Sequence, residues 1–244
     1  MKAESFSDLG VIWQMLRGAR RSGTQRERLE AFYRPQAKHY DRFRERLLHG
    51  RRDLIEALAP PVGGRVVELG AGTGRNVEFF GDRIDDLASI NLVDLCPALL
   101  EQARLRWSDR QNVIVVHADA TQWMPPVPVD CVYFSYALTM MPDWHAALEN
   151  AFSMLKPGGV IGVVDFYVST AGPTSGLVRH SALTRWLWPR WFAHDGVRLD
   201  AAPLLHLVSH CETLQLRELR APLPYLPGLR VPYFIFIGRK RTAG

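Results

Sequence analysis

The chain reads as an α/β protein built on a parallel sheet with helices on both faces, and three observations predict it. Short β-branched apolar runs alternate with helical patterns between residues 65 and 166. The first run, Val66-Val67-Glu68-Leu69, enters Gly70-Ala71-Gly72-Thr73-Gly74-Arg75-Asn76, with glycines at alternate positions ahead of a helical segment. Acids stand at the ends of the next runs: Asp94 closes Ile90-Asn91-Leu92-Val93, and Asp119 follows Val113-Ile114-Val115-Val116-His117. Ligands of open parallel sheets bind outside the C-terminal strand ends, so glycines and acids share one edge.

The elements follow in order. Residues 6–17 put Phe6, Leu9, Trp13 and Leu16 on one helical face, and Arg17, Arg20, Arg21, Arg26 and Arg28 follow with Glu27 as the one acid among them. Such a stripe suits an anionic membrane surface; a helix packed on the domain with a solvated basic tail fits equally. Residues 30–59 read as helix with a break near Gly50, ended by Pro60-Pro61. Strands are expected at 65–69, 89–93, 113–117, 130–134 and 160–166. Helices are expected after Gly74 through Phe79, from Pro97 to 109, and from an Asp143 cap through Leu155. Lys156-Pro157-Gly158-Gly159 reads as a turn. Residues 200–211 resume a helical pattern, and 214–220 and 231–238 are two last strands, split by the loop from Pro222 to Pro232. This counts seven strands. The division expected is a helical extension or substrate cap over 1–60 and a main domain over 61–244 carrying an insertion at 167–200.

Composition bounds the function. The 244 residues are 47% apolar, enough for one sizeable core, and the net charge of +5 favours anionic partners. Cys96, Cys131 and Cys211 are odd in number and widely spaced; they read as reduced, and no metal site is expected from them. No apolar run approaches the ~18 residues of a spanning helix. Glu4 and Asp8 argue against a secretory signal. A cytoplasmic protein is expected.

The glycine turn carries the most information. A dinucleotide fingerprint would place its third glycine at Arg75; here it is Gly74. Glu68 precedes the first glycine by two residues, and Asp94 follows Gly74 by 20. An acid at a second strand end is placed to take both ribose hydroxyls. E-x-G-x-G-x-G with that second acid resembles the class I S-adenosylmethionine (SAM)-dependent methyltransferases; a tight turn in another Rossmann-like enzyme is the alternative.

Further fragments narrow the resemblance. They are Tyr40-Asp41-x-x-Arg44-x-x-Leu47-Leu48-x-Gly50-Arg51, Phe134-Ser135-Tyr136-Ala137-Leu138-Thr139-Met140-Met141-Pro142, Gly162-Val163-Val164-Asp165-Phe166-Tyr167-Val168 and Pro232-Tyr233-Phe234-Ile235. From Phe32 onward the chain resembles the BtaB-type methyltransferases and the matching half of betaine-lipid synthase. It departs from that pattern at Phe43 and His49, which bears on substrate detail more than on reaction class.

The resemblance implies a Rossmann-like seven-stranded sheet with its last strand antiparallel. It implies N-methylation of diacylglyceryl homoserine to the trimethylated betaine lipid, with SAM as cofactor and S-adenosylhomocysteine as product. It implies that Gly70, Gly72 and Gly74 approach the methionine part of SAM, with Glu68 and Asn76 supporting them. Asp94 would bind ribose, Leu95 pack on adenine, and Asp119 and Ala120 hold the adenine amino edge. Ser135 and Tyr136 would line the floor under the methyl, and Tyr40 would close over the cofactor. Tyr33, Arg44, Tyr136 and Tyr167 are the substrate-side candidates, Tyr40, Tyr136 and Tyr167 the catalytic ones, and Arg44 and Arg51 would pair with a carboxylate, of SAM or of a homoserine headgroup. Each has a plain alternative: Tyr40 in the core, Arg44 and Arg51 on a solvated face, Tyr136 and Tyr167 as strand-end packing. His117 and His145 read as structural.

Methyl transfer from a sulfonium needs alignment and water exclusion more than a metal or covalent nucleophile. Competing readings are a phosphatidylethanolamine N-methyltransferase, a carbon or oxygen methylase of a quinone or other small molecule, a nucleic-acid methylase, and an inactive SAM binder. Base amino methylases carry N/D-P-P-Y/F after the fourth strand, where this chain has Phe-Ser-Tyr-Ala. The acid-free stretch after Phe166 holds Arg179, Arg185, Arg190, Trp186, Trp188 and Trp191. It is expected to form a partly helical lid that docks on an anionic membrane; sealing the site against water is the alternative. The partner expected is therefore a lipid at the membrane surface, with no nucleic acid and no metal.

Overall fold

A computed structural model describes residues 46–173, 176–193, 196–224, 226 and 228–241. The N-terminal stripe, the basic segment and Tyr33, Tyr40 and Arg44 lie outside these residues. In order, the elements are α1 (Arg51–Leu58), β1 (Arg65–Leu69), a 3₁₀ segment (Arg75–Ile84), β2 (Ser89–Asp94), α2 (Pro97–Arg106), β3 (Val113–His117) and β4 (Val129–Ser135). A 3₁₀ turn (Leu138–Met140), α3 (Trp144–Met154), β5 (Leu155–Phe166), α4 (Ala182–Ala193), α5 (Ala202–His210), β6 (Cys211–Pro222) and β7 (Arg230–Lys240) complete them.

The seven strands form one sheet in the order β3-β2-β1-β4-β5-β7-β6. Strands β1 to β5 are parallel, and β7 is antiparallel to both β5 and β6. The expected strand count and the antiparallel last strand are both found. Central strands have both faces covered and read as continuous apolar runs; β1, β2 and β4 are almost wholly buried. The edge strand β6 instead shows Glu212, Arg217 and Arg220 along its length, charges that discourage pairing with another chain.

Side chains alternate into two core layers. Val66, Ile90, Tyr133, Val164, Phe166 and Ile235 pack under α1, the first 3₁₀ segment and α4. Val67, Val93, Phe134, Val163, Tyr167 and Phe234 pack under α3 and α5. Gly162 lets α1 lie directly on β5, because a Cβ there would meet Leu58 at 2.7 Å. The expected break at Gly50 is real: its φ is 77°, and it sits tight against Tyr233 and Ile235.

Three expectations are corrected. The segment after Gly74 winds as a 3₁₀ helix to Ile84 and is bent at Gly81 (φ 58°, ψ −138°), a conformation that glycine admits. The helix from Pro97 stops at Arg106, where the last turn folds back on the glycine loop. Lys156-Pro157-Gly158-Gly159 belongs to a β5 that begins at Leu155, with an irregular register between Val129 and Cys131. Lys156 holds Asp130 there at 2.8 and 2.9 Å, and the Arg65 N–H donates to the same carboxylate at 2.8 Å. Burial pushes Asp130 up, but those bonds outweigh it and its pKa lies below the ordinary value.

Candidate cofactor and methyl-transfer site

Strand order reverses between β1 and β4, so the crevice outside their C-terminal ends is where a ligand belongs. Gly70, Gly72 and Gly74 all adopt left-handed φ, at 78°, 56° and 67°. Two of them serve the protein's own packing. A Cβ on Gly70 would stand 2.5 Å from Ala137, and one on Gly74 would stand 2.8 Å from Leu92. The turn is fastened from outside: Trp107 Nε1 donates to the Gly74 carbonyl at 2.9 Å, and Arg106 to the Thr73 carbonyl at 2.6 Å.

Asp94 is half-buried at the end of β2. Its Oδ2 accepts the Gly72 N–H and its Oδ1 the Cys96 N–H, both at 2.8 Å. The carboxylate thus links the glycine turn to the start of α2. Leu95 follows it, half-buried, and its carbonyl lies 3.3 Å from His117 Nε2. Asp119 uses Oδ1 to accept from the Thr121 N–H and hydroxyl, each at 2.8 Å. Ala120 is buried, its carbonyl taking the Asn150 amide at 2.9 Å.

Glu68 is fully buried and lies beneath the turn. It accepts from Asn76 Nδ2 and, at 2.8 Å, from the Tyr133 hydroxyl. Burial, and then the adjacent Glu68, raise the Tyr133 pKa well above the ordinary value, so the phenol stays a donor. Arg51 donates to Asn76 Oδ1 at 3.3 Å and to the Leu48 carbonyl at 3.1 Å, and lies over the Phe79 ring. The chain from Arg51 through Asn76 and Glu68 to Tyr133 braces the turn from below. Arg51 is therefore buried in the support of the turn rather than on a solvated face.

At the end of β4, Ser135 is buried, and its Oγ has no hydrogen-bond partner among the described residues. Tyr136 has φ 54°, an unusual conformation for an aromatic residue. Its N–H donates to Val164 at 2.8 Å, its hydroxyl to the His49 carbonyl at 2.7 Å, and its ring packs on Phe166 at 4.6 Å. Tyr167 does not join it. One residue further along the strand, it enters the opposite side-chain layer, against His180 and Phe234, with its hydroxyl on Glu218.

A buried pair escaped the sequence reading. Asp165 Oδ1 accepts the Thr139 hydroxyl at 2.7 Å, and Oδ2 the Thr139 N–H at 3.1 Å, which fixes the loop after β4. Burial lifts Asp165 to about 6 against those bonds. The spacing of 26 residues hides the pair; the acid inside an apolar strand is the signal that would have found it.

The insertion after β5 is tied to this loop. Ser169 and His180 exchange bonds of 3.0 and 2.8 Å, and the Arg198 N–H donates to the Thr139 carbonyl at 2.8 Å. On α4, Phe192 stacks on Phe166 at 5.0 Å and Trp188 is buried beside it. Trp186 (54% exposed), Trp191 (42%) and Leu183 (68%) face outward.

These residues fit SAM. The left-handed turn, an acid at the end of β2, a second acid with a spare oxygen after β3 and an orphaned hydroxyl at the end of β4 converge on one edge. The chemistry matches a cofactor with a vicinal diol, an amino-bearing ring and an amino-acid end.

Comparison with known proteins agrees. The family described as "Methyltransferase domain" matches residues 40–221. The ubiquinone/menaquinone biosynthesis C-methyltransferase UbiE of Serratia proteamaculans is 30% identical over 129 residues, 51% of each chain. The trans-aconitate 2-methyltransferase of an Enterobacter species is 36% identical over 111 residues, 46% of this chain and 42% of that one. The chain thus spans about half the length of these curated relatives. Among solved structures, Haemonchus contortus phosphoethanolamine N-methyltransferase 2, in complex with S-adenosylhomocysteine, has a TM-score of 0.69 at 12% identity, covering 91% of this chain and 61% of that one. The N-methyltransferase NodS of Bradyrhizobium japonicum, also with S-adenosylhomocysteine, has a TM-score of 0.57 at 14% identity, covering 79% and 86%. The family match takes in well over half of the chain, which therefore belongs to the family described as "Methyltransferase domain".

Proposed function

We propose that the chain N-methylates an amine-bearing lipid, diacylglyceryl homoserine, in successive transfers at a membrane surface, ending in the trimethylated betaine lipid. The observation that carries this reading is the two-sided helix α4. Its inner side packs Phe192 on Phe166, which in turn packs on Tyr136, while its outer side presents Trp186, Trp191 and Leu183 beside Arg190. Tryptophan favours the headgroup region, and arginines near an anionic leaflet add ~1 kcal/mol each. A lid built this way brings a lipid headgroup to the crevice while its inner aromatics keep water out.

SAM supplies an electrophilic methyl group on a sulfonium whose leaving group is already good. The protein's part is then alignment and exclusion of water. In this reading Asp94 takes the ribose hydroxyls, Leu95 and Ala120 flank the adenine, and Asp119 accepts from its amino group. Ser135 and Tyr136 form the floor. Tyr33, Tyr40 and Arg44, outside the described residues, are the substrate-side candidates, and an arginine there suits the homoserine carboxylate.

The test is an assay with labelled SAM offering diacylglyceryl homoserine, phosphatidylethanolamine, a demethylated quinone and tRNA side by side. Label in the homoserine lipid alone supports the reading. Label in phosphatidylethanolamine or the quinone moves the protein to that substrate class.

A further inference from the structure

Away from the cofactor crevice, where α3 and α5 meet near the surface, His145 and His206 flank the carboxylate of Glu149. His145 and Glu149 stand four residues apart on α3, so they share a helix face. His206 on α5 opposes them, with its Nε2 at 2.8 Å from Glu149 Oε1. One ligating atom from each of the three residues lies within 4.8 Å of the others. The rings of His145 and His206 are 4.7 Å apart, and His210 stacks behind His206 at 3.9 Å. Trp144 and Phe152 wall the group at 5.9 and 6.0 Å from His206, which limits how that ring can turn.

A His–Glu ion pair needs one imidazole, and gathering more around it is costly if they are charged. Two imidazole nitrogens and a carboxylate are the donor set of zinc, and three protein ligands leave a fourth position for water. Donors on one tetrahedral zinc ion stand about 3.3 Å apart at bond lengths of about 2.0–2.1 Å. His145 and Glu149 are exposed and can close the remaining distance by changing rotamer.

We propose that His145, Glu149 and His206 form a zinc site that clamps α3 to α5. The ion takes the place of the proton that His206 shares with Glu149. The clamp holds α5, the helix after the insertion, against the helix that follows the loop of Ser135 and Tyr136. It lies at the surface between α3 and α5, whereas Tyr136 packs in the layer under α1 and α4. The site therefore acts on structure and takes no part in methyl transfer.

The experiment titrates the chelator-treated full chain with Zn²⁺ by calorimetry, with Co²⁺ as an optical probe. Wild type should take up one equivalent, raise its melting temperature and give the visible bands of a tetrahedral Co²⁺ centre. Glu149→Gln, which keeps a hydrogen bond to His206, should weaken Zn²⁺ binding at least about tenfold, the lower end of losses seen on removing even outer partners of a metal site. His145→Ala with His206→Gln should abolish it, and SAM affinity should be unchanged in both. No Zn²⁺ uptake by wild type, or equal uptake by the double variant, overturns the proposal.

Discussion

Asp94 does two jobs with one carboxylate. Its oxygens hold the N–H groups of Gly72 and Cys96, and in the proposed reading the same carboxylate takes the ribose hydroxyls. Removing a charge-assisted acceptor costs ~1.5–3 kcal/mol, so Asp94→Ala should weaken SAM binding roughly 10–100-fold by calorimetry. Circular dichroism checks that the variant is folded. Wild-type affinity in a folded variant would remove Asp94 from the site. Thr139 and Asp165 allow a separate test. In the native protein Asp165 titrates at about 6 rather than 3.8, so the folded state holds its proton more tightly than the unfolded one. Its contribution to stability is full below 3.8 and is lost as pH rises to about 6. At pH 7 the carboxylate is ionised and depends on Thr139. Thr139→Val should cost ~1.5–3 kcal/mol in urea unfolding at that pH and push the Asp165 pKa higher still. An unchanged midpoint would show that the pair is dispensable.

Among the elements, the insertion with α4 is the most exposed to test. His180 is buried where it accepts the Ser169 N–H, and burial, with Arg220 and Arg185 nearby, lowers its pKa from 6.5 to about 4. A depressed histidine favours folding above its unfolded value. The anchor should therefore hold above pH 6.5 and weaken as pH falls toward 4. Protection factors across 176–193, taken relative to the intrinsic exchange rate at each pH, should fall over that window, and His180→Asn, which keeps an acceptor for Ser169, should flatten the response. Protection factors independent of pH in wild type would contradict it. The membrane role is tested on the same helix. Arg185→Gln with Arg190→Gln should lower co-sedimentation with anionic vesicles at low salt and leave SAM affinity unchanged. Unchanged sedimentation would make α4 a lid only. This element also marks the limit of what the sequence conveys. An acid-free stretch with three tryptophans pointed to a helical lid, but helical spacing alone did not say that Trp188 goes inward and Trp186 and Trp191 outward. Tyr167 shows the same limit: its neighbour Phe166 and Tyr136 share one layer, and strand alternation puts Tyr167 in the other.

At the scale of the molecule, the sheet was legible because central parallel strands bury both faces and leave short apolar runs such as Cys131-Val132-Tyr133-Phe134. The crevice was legible because glycines and acids at strand ends have few other uses. What stayed hidden depends on pairs far apart in the chain: Arg51 with Asn76, Glu68 with Tyr133, Thr139 with Asp165, His145 with His206. No local pattern encodes such contacts. The proposed function needs both the crevice, as a SAM site, and α4, as the element that delivers a lipid amine. Its most direct test is mass spectrometry of diacylglyceryl homoserine in anionic vesicles after incubation with the protein and SAM. The account predicts species with one, two and three methyl groups added to the headgroup nitrogen, the last accumulating with time. An unmodified homoserine lipid, under conditions where the protein binds SAM and methylates another acceptor, would contradict it.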